Sequence, residues 1–146
     1  MFPLIKVDNV THLIQLAIAP VFLLTAVGTI IGVLINRLSR IVDRIRALEE
    51  RLHRQEVMNI EATRHELEVL GRRLRLIYLA VTCEVFCGLF VGLIIATAFI
   101  DAFLVANLSS IMAGLFILAM FAFISGLIVF LREIFLAVNI TWESMR

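Results

Sequence analysis

Residues 13–54 read LIQLAIAPVFLLTAVGTIIGVLINRLSRIVDRIRALEERLHR, and this stretch changes solvent halfway along without changing period. Leu13 to Ile35 carries no charge over 23 residues, whereas Arg37, Arg40, Arg44, Arg46, Arg51 and Arg54 follow within the next 19. An apolar run of about 20 residues is what a helix needs to cross about 30 Å of hydrocarbon. Beneath the change of composition, Leu24, Val27, Ile31, Leu34, Leu38, Ile41, Ile45, Leu48 and Leu52 keep alternating three- and four-residue steps. That is a heptad seam, and no Gly or Pro interrupts Val33 to Arg54. The first helix is therefore expected to leave the membrane unbroken and run about 25 Å into water, at about 1.5 Å per residue.

Two further runs complete the frame. Ile111 to Leu131 carries no charge over 21 residues, and Leu76 to Ile100 carries only Glu84 over 25. With 62% hydrophobic residues and a mean hydropathy of +1.03 in 146 residues, the chain is too apolar for a soluble domain, where about half the residues are apolar. The fold class expected is all-α: an integral membrane protein with three transmembrane helices and a cytoplasmic antiparallel helical hairpin extending spans 1 and 2. Its single membrane domain divides into an outer N-terminal segment (1–12), span 1 (13–35), the hairpin (36–75), span 2 (76–100), an outer loop (101–110), span 3 (111–131) and a cytoplasmic tail (132–146). The first run is longer than a signal peptide's apolar core and lacks a small-x-small cleavage site, so it reads as a retained span. Ten of the thirteen basic residues lie between Asn36 and Leu76, and the 101–110 loop has no Lys or Arg. The positive-inside rule then sets the N-terminus outside and the C-terminus in the cytoplasm.

The second arm mirrors the first. Ile60, Leu67, Leu70, Leu74, Ile77 and Val81 keep the seam, with Thr63 the one polar interruption. Gln55 to Asn59 is the expected turn, and Asn9 or Thr11 the expected N-cap of the first helix. Pro20 is expected to kink or loosen span 1 locally. Gly71 costs about 1 kcal/mol of helix propensity against Ala, and Glu68 with Arg72 four residues on returns a few tenths.

Glu84 continues the second seam (Leu74, Ile77, Val81, Glu84) and lies roughly 12 Å into its span if that span begins at Leu76. An acid at such depth is a functional candidate by default. Folding the arms about residue 56 sets Gly28 and Thr29 opposite it, with Thr25 or Thr29 as a hydrogen-bond donor. Glu84, Thr25, Thr29 and Gly28 thus form the candidate ion or proton pathway; the plainer reading is a protonated acid, or one snorkelling toward Arg75 or Arg132. Gly28 and Gly32 on span 1, and Gly88 and Gly92 on span 2, are the expected helix-packing positions. Arg37, Arg40, Arg44, Arg72, Arg73 and Arg75 fall within a few turns of the bilayer and are candidates for anionic-lipid contact, with topology determination as the plainer role. Tyr78 and Trp142 suit interfacial anchoring.

His12, His53 and His65 have no metal-ligand spacing, and Cys83 and Cys87 read as small hydrophobes rather than ligands or a disulfide. No catalytic residue, metal site or cofactor is expected: the chain has no Walker loop, no Ser-His-Asp or Cys-His pairing and no paired carboxylates in one plausible site. A net charge of +1 implies no affinity for nucleic acid. The partners expected are the lipid bilayer, anionic lipids and copies of the chain itself, because three spans alone enclose no solvated path.

The stretch "IQLAIAPVFLLTAVGTIIGVLINRLSRIVDRIRALEERL", with "GRRLRLIYLAV" and the closing "FLREIFLA", resembles a bacterial family of small membrane proteins catalogued as domain of unknown function 2721. The resemblance covers nearly the whole chain and implies a three-span protein of the bacterial inner membrane; it carries no activity or functional residue with it. The functional expectation is a small homo-oligomeric channel or transporter with an intramembrane carboxylate. Its rival is a structural or accessory scaffold of a larger membrane complex.

Overall fold

The computed structural model describes residues 7–54, 59–104 and 107–143. They form three helices and, among the described residues, no strand: α1 (Val7–His53), α2 (Ile60–Leu104) and α3 (Ser109–Glu143). Each carries a segment long and apolar enough to cross a membrane, so the protein is a multi-pass, all-helical membrane protein. In hydrocarbon only helices and closed barrels satisfy their own backbone, and the apolar composition leaves the helix as the form these segments take.

α1 passes through Pro20 and through the Asn36-Arg37 change of composition as one helix of 47 residues. It is already helical at Val7, so Asn9 and Thr11 lie inside it and neither is its N-cap. The expected turn at 55–59 falls mostly outside the described residues, but its last member is decisive. Asn59 Oδ1 accepts a hydrogen bond from the Ala62 amide at 3.2 Å, and the Thr63 hydroxyl donates to the Asn59 carbonyl at 3.1 Å. Asn59 thus caps α2, and Thr63, the polar interruption of the seam, belongs to that first turn. Glu61 adds an acid where the helix dipole favours one.

Two boundaries move relative to the sequence reading. α2 continues to Leu104 and α3 begins at Ser109, shortening the expected 101–110 loop; Asp101 Oδ1 accepts from the Leu108 amide at 3.0 Å. The Leu108 carbonyl in turn accepts from the Ile111 and Met112 amides and starts α3. At its other end α3 runs through the expected 132–146 tail as far as Glu143. Hydropathy marks where a helix leaves lipid, not where its backbone hydrogen bonding stops.

The chain forms two compact units. One joins Met1–Ile30 to Glu84–Ile124; the other joins Ile31–Cys83 to Ser125–Arg146. The core of the first holds Val27 of α1, Glu84, Cys87, Val91 and Ile94 of α2, and Ala119 of α3. That of the second holds Leu34, Ile41 and Leu48 of α1, Leu70, Ile77 and Ala80 of α2, and Glu133 of α3. Along each helix the buried positions recur every seven residues: 27, 34, 41 and 48; 70, 77, 84 and 91; 119, 126 and 133. The alternate seam residues Ile31, Leu38, Ile45 and Leu52 are half-buried, and Leu24 and Ile60 are exposed. One member of each seam pair fills the core and the other covers it.

Candidate functional site

In the first unit, Glu84 has no exposed surface, and neither carboxylate oxygen has a hydrogen-bond partner among the described residues. It stands at the seven-residue buried position of α2, with Val91 one repeat further on and Cys87 one turn away. Buried polar groups are almost always paired, and leaving one unpaired costs about 1–3 kcal/mol, more when it is charged. The sequence reading placed hydroxyl donors beside it, and the structure corrects this. Thr29 Oγ1 donates to the Thr25 carbonyl at 2.9 Å, and Thr25 Oγ1 donates to the Val21 carbonyl at 3.1 Å. Thr25, Thr29 and Gly28 are all exposed. At 3.6 residues per turn, Thr25 and Thr29 each lie about 200° around α1 from the buried Val27. Folding the arms about residue 56 matches levels but not faces.

The same rotation sorts the glycines. A methyl group on Gly88 would meet Leu24 at 3.6 Å and Val27 at 3.8 Å, so Gly88 is where α2 lies close to α1. Gly28, Gly32 and Gly92 are exposed, with open space where a side chain would sit. Within one chain only Gly88 of the four performs the expected packing role.

The second unit holds a charged cluster that the sequence reading does not foresee. Glu133 has no exposed surface, and two arginines meet it. Arg73 donates from Nε at 3.1 Å and from Nη2 at 2.9 Å, both to Oε1. Arg37 Nη2 stands 3.1 Å from Oε2, an ion pair without hydrogen-bond alignment, and its guanidinium lies 5.5 Å from the centre of the Phe130 ring. Stacking on an aromatic face adds a cation–π attraction. Three helices thus converge on one carboxylate. The signal was present in the sequence as Ala119, Gly126 and Glu133, a small-small-acid series at the heptad step. The pattern is masked because Glu133 falls just past the last apolar residue of span 3 and reads there as a surface charge.

Of the six arginines expected to meet lipid, four are engaged in ion pairs: Arg37 and Arg73 with Glu133, Arg44 with Glu66 at 2.8 Å, and Arg72 with Glu68 at 2.8 Å. Arg40 and Arg75 carry no ion pair among the described residues. Glu50 and Arg54 form an ion pair at the end of α1. Cys83 and Cys87 are free thiols, and the described residues contain no cluster of three or more His, Cys, Asp or Glu placed to hold a metal ion. Tyr78 is exposed, as an interfacial anchor would be.

A family profile described as protein of unknown function (DUF2721) matches residues 17–142. The chain belongs to the DUF2721 family. The match embraces both glutamates and all ten arginines of the basic segment. No curated protein and no solved structure matches the chain.

Proposed function

We propose that this DUF2721 protein is a small homo-oligomeric carrier or channel for protons or cations, with Glu84 as the exchangeable acid. The observation that carries the reading is a fully buried carboxylate, in an apolar span, with no hydrogen-bond partner on either oxygen among the described residues. An ionised acid within the bilayer costs roughly 2.5–3.5 kcal/mol on insertion scales and more by simulation, so intramembrane acids are rare and mark ion or proton pathways. Such a group is relieved by whatever neutralises it, and protons and cations are the species that do. Self-association is supported by the exposed stripe of Thr25, Gly28, Thr29 and Gly32 on α1, small residues that let a second helix approach closely where lipid supplies no hydrophobic drive. The arginine distribution supports a cytoplasmic basic segment, with the N-terminus outside and the C-terminus inside; a bacterial inner membrane is the setting the family resemblance implies.

The test is flux into liposomes containing the purified full-length protein, measured in turn for protons, sodium and potassium. Wild-type protein is expected to carry at least one of these above protein-free vesicles, and Glu84→Gln to lower that rate at least tenfold. Equal flux with Glu84→Gln overturns the role of Glu84. Absence of flux for all three ions, with foreign subunits co-purifying from native membranes, favours the scaffold reading instead.

A further inference from the structure

The second unit holds a basic groove that neither the buried ion pairs nor the flux reading accounts for. Arg37, Arg40 and Arg44 of α1 and Arg73 of α2 wall a recess of about 450 Å³ over Ile41 and Leu70, both buried. On α1 the arginines stand at steps of three and four residues, one stripe along one face. The carboxylates that meet these walls are Glu66 of α2, on Arg44, and Glu133 of α3, on Arg37 and Arg73. Asp43, beside the stripe on α1, is exposed and forms no ion pair among the described residues. Among the described residues, two carboxylates therefore answer four guanidiniums. Each guanidinium carries five N–H donors, more than the contacts of Arg37 through Nη2 and of Arg73 through Nε and Nη2 to Glu133 occupy.

We infer that this groove binds the phosphate of an anionic glycerophospholipid, with Arg40 and Arg44 as principal ligands and Arg37 and Arg73 held in place behind them by Glu133. A phosphate diester matches the fork of an arginine. A lipid rather than a soluble phosphate is favoured by two features. The floor of the groove is apolar, and the charge-free run Leu13–Ile35 ends two residues before Arg37, which sets the stripe where lipid headgroups lie. Basic recesses between membrane helices are a known mode of anionic headgroup recognition.

The inference is independent of ion flux and is tested without it. The full-length protein, purified in a neutral detergent, is titrated with phosphatidylglycerol or phosphatidylcholine, and retained lipid is counted by native mass spectrometry. Phosphatidylglycerol is expected to be retained and phosphatidylcholine not. Each arginine near a membrane surface is worth about 1 kcal/mol, or about fivefold in affinity. Arg40→Gln should therefore weaken phosphatidylglycerol retention about fivefold and Arg40→Gln/Arg44→Gln on the order of twentyfold. Arg72→Gln/Arg75→Gln, which removes as much charge from α2 outside the groove, should change it less than twofold. Because Arg40 is exposed and free of ion pairs among the described residues, its single variant tests the groove with the fold intact. Equal retention of the two lipids, unchanged retention in the Arg40 and Arg44 variants, or an equal loss in the Arg72 and Arg75 control overturns the inference. Release of the lipid by millimolar inorganic phosphate also overturns it, assigning the groove to a soluble phosphate.

Discussion

Glu84 and Glu133 are the same residue type, each on the seven-residue buried ladder of its helix and each without exposed surface, yet their surroundings are opposite. Glu133 is met by two guanidiniums drawn from two other helices. Glu84 has no hydrogen-bond partner among the described residues. A buried acid with excellent partners is a structural tie, because removing the partners leaves a charge that has neither water nor counter-ion. A buried acid without partners adds nothing to stability, and its persistence in a fold asks for a use. Burial alone does not distinguish the two cases; the company of the carboxylate does.

The comparison can be broken most directly at Glu84. If it is the working acid, Glu84→Gln removes at least tenfold of the ion flux while leaving the midpoint of thermal helix loss in detergent unchanged or raised. A large drop in that midpoint would make Glu84 structural like Glu133. Next in size is the loss of both partners of Glu133. Arg37→Ala/Arg73→Ala should cost about 3–5 kcal/mol of unfolding free energy in a detergent titration, the range for a buried charge left unpaired. The two single variants should sum to clearly less than the double, since each leaves the other arginine in place. Glu133→Gln should cost less, about 1–3 kcal/mol, because the arginines it leaves behind retain 32% and 20% exposure and can turn toward water.

Smaller effects sharpen the background. Gly71 is exposed, lies inside α2 and has open space where a methyl group would go. Gly71→Ala should therefore stabilise the protein by about 0.5–1 kcal/mol through helix propensity. Arg72→Ala, which breaks only the exposed pair with Glu68, should cost no more than about 0.5 kcal/mol. That outcome would set the value of a surface pair against which the Glu133 cluster is judged.

Much of the architecture was legible in the residues because lipid imposes a coarse rule: length and apolarity define a span. The unbroken passage of α1 from the apolar run into the arginine segment followed from a seam that never lost step. The end of α2 was less legible, since Asp101 acts through a single hydrogen bond that hydropathy does not register. Glu84 could be singled out as a lone charge in an apolar run. Its surroundings could not be, because the rotation of Thr25 and Thr29 away from it depends on which seam residue turns fully inward. Glu133 was hidden for a related reason. Next to Arg132 it resembles an ordinary solvated charge, and its partners lie 60 and 96 positions earlier in the chain.

The order of those partners along the chain bears on how the protein is made. Arg37 and Arg73 belong to the first two helices synthesised, and their common acid belongs to the third. Until α3 has been translated, the first two helices carry two guanidiniums without the carboxylate they share in the complete fold. A chain cut short before Glu133 would thus lack the acid that ties Arg37 of α1 and Arg73 of α2 together.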